Sequence, residues 1–196
     1  MALSFAGNGT ITGLSVGGLP DGTVDEGTLA NNAVGSGKLA SGVGGKLLQH
    51  KEVIFKTHSS FTAEWANDSS IPQITEGVSV TDLAVTPVSA TSTLYMDYWV
   101  TFARSLHDMG SMALFVDSTA NALAVSSAQG NTNMHTMQGN YSVVSASTSA
   151  RTYRLRASRS PGGAGTMYLN QAHSSADWWG RGTIPNCGIR IFEISA

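Results

Sequence analysis

The residues of this chain best suited to recognition chemistry are Asp177, Trp178, Trp179 and Arg181, which lie almost consecutively. Exposed aromatic rings beside Asp and Arg suit sugar stacking and hydrogen bonding. Neighbouring residues on a strand point in opposite directions, so one Trp can be buried while the other is exposed. The competing interpretation, which we favour, is that one Trp fills the core and the other packs against a neighbouring subunit. Trp65 carries the same ambiguity.

The sequence carries no signature of an enzyme. It has no G-x-S-x-G elbow, phosphate loop, H-E-x-x-H motif or paired cysteines. His107-Asp108 is a minimal start for a catalytic triad, but it lies beside Gly110 in an expected turn. The five histidines lack ligand spacing, so we predict no metal and no cofactor. The lone Cys187 is expected to be a small buried apolar residue, and the protein is expected to be non-enzymatic.

Composition and charge narrow the possible partners. The chain has 196 residues, a net charge of −2 and only 12% charged residues, about half the usual share. Nucleic-acid binding needs a concentrated basic face. Arg154 and Arg156 do share a strand face, but we interpret that face as solvated or as an inter-subunit contact. No apolar run approaches the roughly 18 residues of a membrane span, so no membrane insertion is expected.

The elements that must position these residues are predicted to be strands in residues 46–196. Short apolar runs alternate there with Gly, Ser, Asn and Pro clusters, which is typical of a β-sandwich or barrel, and no long helix is expected. In the last run, Ile189, Ile191 and Ile194 are apolar and Arg190 and Glu193 are polar, with a slip in the alternation near Phe192. The predicted strands are 50–57, 77–86, 92–105, 111–117, 121–127, 135–145, 151–158, 165–170 and 187–195.

The run 92–102 has two partly apolar faces. Leu94, Met96, Tyr98, Val100 and Phe102 share one face, and Tyr95, Asp97, Trp99 and Thr101 share the other. A strand with this composition is expected to be buried on both sides. We predict that the first face packs in the core of the domain and the second against a neighbouring subunit.

Residues 1–45 form a different unit with a period of five. Neither a helix nor a strand produces this spacing, and such a segment cannot bury its apolar residues alone. A pentapeptide β-helix is one solution, but the segment is too short for the roughly three stacked repeats that stability requires. Intertwining with two other copies is the more economical solution. The repeating residues are Leu14, Leu19, Val24, Leu29, Val34 and Leu39.

Two stretches resemble parts of phage virion proteins. The segment GTVDEGTLANNAVGSGKLASG (22–42) resembles the repeats of phage tail fibres. The C-terminal unit resembles the trimeric knob of phage fibres, a jelly roll of the tumour-necrosis-factor and complement kind. Its matching pieces are Val85-Thr86-Pro87, the run GTMYLN (165–170) and the closing IRIFEISA (189–196).

The resemblance implies an all-β homotrimer with an extended anchor or shaft in residues 1–45 and a jelly-roll-like β-sandwich knob in residues 46–196. It implies a structural role as a capsid decoration (cement) protein or short head fibre that binds other virion proteins, above all the major capsid protein. The alternative is a tail-fibre tip that recognises a host surface glycan. The opening residues lack a secretion signal. The expected location is therefore the virion surface, after synthesis in the host cytoplasm.

Overall fold

The computed structural model describes residues 4–5, 11–12, 46–173 and 185–196, and within these ranges every regular element is a strand. Accordingly, these ranges contain no helix long and apolar enough to cross a membrane. The chain divides into two compact units, residues 1–44 and 45–196. In the first unit, β1 (Ser4–Phe5) pairs antiparallel with β2 (Ile11–Thr12). The five-residue repeat from Leu14 to Leu39 lies outside the described residues, so the anchor or shaft stays a prediction.

The second unit is built from strands that follow the predicted runs closely. Most runs contain several β-branched or aromatic residues, and turn residues follow them, as at Thr86-Pro87 and Pro161-Gly162. The strands are β3 (Leu47–Phe55), β4 (Ser59–Phe61), β5 (Val78–Val85), β6 (Thr93–Arg104), β7 (Asp108–Val116), β8 (Ala124–Gly130), β9 (His135–Val144), β10 (Arg151–Arg159), β11 (Met167–Leu169) and β12 (Cys187–Ile194).

These strands form two sheets in a jelly-roll arrangement. One sheet has the order β5-β10-β7-β8, and the other has the order β3-β12-β6 with β9 on the far edge of β6. The short strands β11 and β4 continue β12 and β3, because β11 pairs with residues 102–104 of β6, beyond the segment that pairs with β12. When β3 and β4 are counted as one row of the sandwich, and β11 and β12 as another, there are eight rows in chain order. The first row pairs with the last, the second with the seventh, the third with the sixth and the fourth with the fifth. This nesting is that of a jelly roll, and the predicted all-β sandwich is confirmed.

The core lies between the two sheets and is organised by β6. Its residues Leu94, Met96, Tyr98, Val100 and Phe102 are at most 1% exposed and pack against the inner residues of the opposite sheet. The prediction that this face packs in the core is confirmed. The alternate residues point away from the core, as a strand period of two requires. They place part of β6 on the outer face of the β3-β12-β6-β9 sheet, which we call the open face.

The last strand differs from its prediction at Glu193 and Ile194. Glu193 is fully buried, whereas Ile194 is partly exposed on the open face. The carboxylate turns inward because it binds the chain that links β5 to β6. It accepts hydrogen bonds from the backbone N–H groups of Val88 (2.8 Å) and Ser89 (3.0 Å) and from the Ser92 hydroxyl (2.5 Å). A buried carboxylate is tolerated only when it is hydrogen-bonded in this way.

The same contacts fix the ionisation of Glu193. Burial acts to raise its pKa, but hydrogen bonds from Ser92, the Gln49 amide and the two backbone groups outweigh burial and hold the pKa below its ordinary value. A carboxylate with a lowered pKa stabilises the folded state above its unfolded pKa of about 4.3. That stabilisation is lost as the pH falls through the folded pKa.

We predict that Glu193→Gln lowers the free energy of unfolding at pH 7 by on the order of 2 kcal/mol, because an amide cannot accept from all these donors. The variant should also lose less stability than the wild type between about pH 5 and pH 3. Urea unfolding at several pH values measures both effects. The control is Glu52→Gln, which breaks only an exposed pair with Arg190 and should cost less than about 1 kcal/mol. Equal losses for the two variants would contradict the prediction.

Candidate functional site

The middle of the outer face of the β5-β10-β7-β8 sheet is covered by the protein's own chain, whereas outward residues of β8 such as Val125 stay exposed. Residues 62–77, which connect β4 to β5 and which we call the cover segment, lie across it. Trp65 of this segment is 4% exposed and packs with Ala113 and Phe115 of β7 and with Ile74. This settles the ambiguity of Trp65, whose ring is a core residue of a small second cluster.

Arginines of β10 hold the cover segment in place. Arg156 Nε donates to the carbonyl of Glu76 (2.7 Å), and Arg159 Nη2 lies 3.2 Å from Glu64 Oε2. Arg154 pairs instead with Asp82 on β5 and donates to the carbonyl of Asp117 at 2.9 Å. The arginine face is partly solvated, as predicted, since the Arg154 side chain is 36% exposed, but its cations also bind carbonyls and carboxylates of the same chain. Contact of this face with a neighbouring subunit stays a prediction.

The open face carries an exposed apolar region at one end. Val144 is 54% exposed, Leu47 52% and Tyr95 50%, and His50 stacks on Phe192 with ring centroids 4.8 Å apart. The strand register sets these residues and Ile194 in two adjacent rows across β3, β12, β6 and β9. The first residue of the jelly roll, Lys46, also lies at this end. The Ser195 N–H donates to the Lys46 carbonyl and the Lys46 N–H donates to the Ser195 hydroxyl, both at 2.9 Å. We call this region the apolar end; its residues are Leu47, His50, Tyr95, Val144, Phe192 and Ile194.

Farther along the same face is an open cleft of about 490 Å³. The register explains its composition. Asp97 lies opposite Arg190 of β12 on one side and Asn140 of β9 on the other, and Trp99 lies opposite Gln138. We call it the polar cleft; its lining residues are Asp97, Tyr98, Trp99, Gln138, Gly139, Asn140 and Arg190.

Trp99 is held in a defined orientation at the polar cleft. Its indole Nε1 donates to Asn186 Oδ1 at 2.7 Å, and its ring lies over Gly188, where a Cβ would come within 2.6 Å of Cζ2. Arg190 Cζ lies 5.7 Å from the ring centroid, and its Nε donates to Glu52 Oε1 at 2.8 Å. The guanidinium charge of Arg190 is thus already balanced by Glu52, and the guanidinium also makes a cation–π contact with the indole ring.

Three planar polar side chains of the cleft are not engaged by the protein itself. Within the described residues, Asp97, Gln138 and Asn140 make no side-chain hydrogen bond or ion pair, and all three are exposed. Their donors and acceptors are therefore available to a ligand. Asp97 and Trp99 are predicted from the sequence to share one face of β6, whereas Gln138 and Asn140 are not among the predicted residues. The spacing of Gln138 and Asn140, two residues apart in a predicted strand, was the available signal, since it sets both on one face.

Asp177, Trp178, Trp179 and Arg181 lie outside the described residues, so their role stays a prediction. His107 and Asp108 do not act together: Asp108 Oδ2 lies 3.2 Å from the buried Arg104, and the His107 ring contacts Gln129 at 3.4 Å. Within the described ranges, no group of three or more His, Cys, Asp or Glu residues could hold a metal ion.

Cys187 is a buried residue at the start of β12, as predicted. Its burial raises the pKa of the thiol to about 12, so the thiol is protonated at neutral pH. Its Sγ lies 3.2 Å from Asn170 Oδ1, and the Asn170 amide donates to the carbonyls of Phe55 (3.0 Å) and Thr57 (3.2 Å). The thiol thus belongs to the joint between the β12/β11 row and the β3/β4 row.

The comparisons with known proteins give only distant likenesses. No family model matches the chain, and no curated protein sequence does. Among solved structures, the chain is similar to the C-terminal domain of the sugar-binding protein EclA, with 14% identity, a TM-score of 0.30, and 63% of this chain and 76% of that chain covered.

The chain is also similar to viral capsid structures. For infectious bursal disease virus strain Gx the identity is 13% and the TM-score 0.37; for the VP2 subviral particle of that virus they are 11% and 0.33. Each match covers 76% of this chain but under two fifths of the viral chain, 39% and 38% respectively. Likenesses at this distance carry no argument for a shared activity. The fold and the site define a jelly-roll domain with one covered sheet face and one open sheet face.

The close packing between the cover segment and β10 leads to a prediction at Gly77, which has a φ of +62°. A Cβ there would lie 2.5 Å from Trp65 Cζ3 and 2.6 Å from the carbonyl oxygen of Ala157. Gly77→Ala should therefore lower the free energy of unfolding by about 3 kcal/mol, through backbone strain and overpacking. Thermal or urea unfolding measures the loss.

The matched control is Gly162→Ala. Gly162 has a similar φ of +67°, but the nearest atom to its Cβ, at 2.8 Å, is the end of the Asn67 side chain, which can move. Only the backbone cost of about 1 kcal/mol is expected there. If the two variants lost the same stability, close packing of the cover segment at Gly77 would be refuted.

Proposed function

We propose that this chain is a non-enzymatic structural protein of a phage virion surface, a homotrimer that decorates the capsid. In this proposal the segment of residues 1–45, with its repeat from Leu14 to Leu39, attaches each copy to other virion proteins, the major capsid protein first. The jelly roll is displayed outward, and no cofactor takes part. The protein is made in the host cytoplasm and reaches its place by assembly into the particle.

The observation that carries the proposal is the difference between the two outer sheet faces. One face is covered by the cover segment, which buries Trp65 and Phe115. The other face leaves Leu47, Tyr95 and Val144 about half exposed at the apolar end. Contiguous exposed apolar groups in a soluble domain mark an interaction surface. Burying them against other copies supplies the driving force for association at about 25 cal/mol per Å².

The position of the apolar end supports self-association in particular. It lies where the chain joins the jelly roll at Lys46, so copies that associate through residues 1–45 would bring their apolar ends to a common axis. In a closed ring of identical copies, the apolar end of every copy is buried against its neighbours and none is left exposed. The number three comes from the resemblance of the chain to trimeric fibre knobs. Association through two regions of one chain also raises the effective concentration of the second contact.

We predict that the full chain sediments as three chain masses at micromolar concentration. The double variant Tyr95→Asp with Val144→Asp should weaken the trimer, because each charge must be desolvated in the interface. Sedimentation velocity over a concentration series measures the shift. The control is Val125→Asp, in which a 45% exposed Val on the covered sheet is changed and the mass should stay unchanged. A wild-type monomer, or equal effects of both variants, would contradict the proposed interface.

The location is tested by labelling intact particles with antibody against residues 46–196 and imaging them by electron microscopy. Label spread over the head is expected for a decoration protein. Particles lacking the protein should then leak their contents at a lower temperature, because contacts made only in the assembled shell stabilise it by mass action. Label confined to the tail tip would reject the decoration role and favour the receptor-binding alternative.

A further inference from the structure

We propose that the polar cleft is a carbohydrate-binding site for a neutral pyranose that presents adjacent free hydroxyl groups. This inference goes beyond the structural role, since the proposed trimer would assemble without it. It assigns recognition to Asp97, Trp99, Gln138 and Asn140 rather than to the Trp178–Arg181 run. The observation behind it is that one rigid aromatic ring and three unengaged planar polar side chains converge on one cleft.

The polar cleft offers a pyranose the aromatic ring of Trp99. A pyranose has one face of C–H groups that carry a weak positive charge, and the face of an aromatic ring is negative, so the two pack favourably. Trp99 is partly exposed, and Asn186 and Gly188 fix its ring before a ligand arrives. The pyranose would pack on the part of the ring that Arg190, 5.7 Å from the centroid, leaves free. A side chain that is already immobilised loses little conformational entropy on binding.

The polar side chains of the cleft match the hydrogen-bonding capacity of sugar hydroxyl groups. Each sugar hydroxyl both donates and accepts a hydrogen bond. The Asp97 carboxylate accepts from two adjacent hydroxyls, and the amides of Gln138 and Asn140 each offer both an acceptor and donors. Asp97 lies directly opposite Asn140, and Trp99 directly opposite Gln138, so the register puts the ring and the three polar groups on neighbouring strands. The volume of about 490 Å³ lies within the roughly 300–1,000 Å³ typical of small-ligand sites.

The charge of the cleft favours a neutral sugar. Among the described residues that line the cleft, Arg190 is the one cation, and Glu52 already pairs with it at 2.5 Å. Asp97 then leaves the cleft with a net negative charge. A sialylated or sulfated glycan would meet that charge without a free cation to offset it. A cationic peptide is the competing ligand, since Asp97 and Trp99 would also attract a guanidinium. Two neutral amides beside a single carboxylate fit hydroxyl groups better than they fit cations.

The cleft and the apolar end lie in neighbouring rows of the same face, since Asp97 is the next outward residue of β6 after Tyr95. The proposed site therefore requires that the contact between copies stops at the row of Tyr95. In a trimer three clefts would act together. Binding of one pyranose, which is weak by itself, is then strengthened by avidity on a surface that carries many copies of the sugar.

The test uses the full chain on an array of neutral, sialylated and sulfated glycans, together with immobilised tri-arginine peptide. Neutral glycans with a terminal diol should be bound, and acidic glycans and the peptide should not. Asp97→Asn should weaken the best neutral ligand at least tenfold, because it removes a charged hydrogen-bond acceptor without changing the shape. Titration calorimetry with that ligand gives the affinity, and thermal unfolding verifies that the variant is folded.

The matched control is Asp82→Asn, the same substitution on the outer face of the other sheet, which should leave glycan affinity within twofold. Asn140→Ala gives a second reading of the cleft and should also weaken binding. Trp178→Ala should have no effect on affinity. Failure to bind any neutral glycan, binding of the peptide instead, unchanged affinity of Asp97→Asn, or loss of binding only with Trp178→Ala would each overturn the proposal. None of these results depends on the sedimentation or labelling outcomes.

Discussion

The two-residue alternation of β6 is the constraint on which the rest of the structure depends. This strand pairs with β12 and β11 along one edge and with β9 along the other, so its register is fixed from both sides. A slip of one residue would turn the five core residues from Leu94 to Phe102 outward, and it would turn outward residues such as Tyr95, Asp97 and Trp99 into the core. The same alternation therefore seals the core and composes the open face. Both the apolar end and the polar cleft follow from one strand placed correctly.

The two outer faces of the sandwich meet their needs by different means. The covered face uses the chain itself, with Trp65 as the apolar contact and Arg156 and Arg159 as the hydrogen-bond donors that hold the cover segment. Arginine suits this position because its planar group donates to several carbonyls at once. The open face has no such segment within the described residues. Both proposals, self-association and sugar binding, therefore concern this face.

The strand positions could be predicted from sequence because hydrophobic alternation and turn residues are local signals. They placed the strands of the jelly roll apart from the short β4, and they assigned the core face of β6. Glu193 and Ile194 could not be assigned in this way, since the inward turn of the carboxylate depends on Val88 and Ser89, about a hundred residues away along the chain. The contacts of Arg156 and Arg159 with the cover segment could not be predicted for the same reason, because their partners Glu76 and Glu64 lie far from β10 along the chain. The polar cleft needed the pairing of β6 with both β9 and β12, which no local pattern contains.

The exchange of hydrogen bonds between Lys46 and Ser195 has a practical consequence for engineering the protein. Polypeptide that continues from either side of the jelly roll leaves from the same end of the sandwich, the end that holds Leu47 and Val144. A fluorescent fusion or epitope attached there would crowd the proposed contact between copies. The turns at the opposite end, such as residues 131–134 between β8 and β9, are better insertion points for displayed peptides. Such an insertion would face away from the proposed axis, and loops of this kind tolerate added residues.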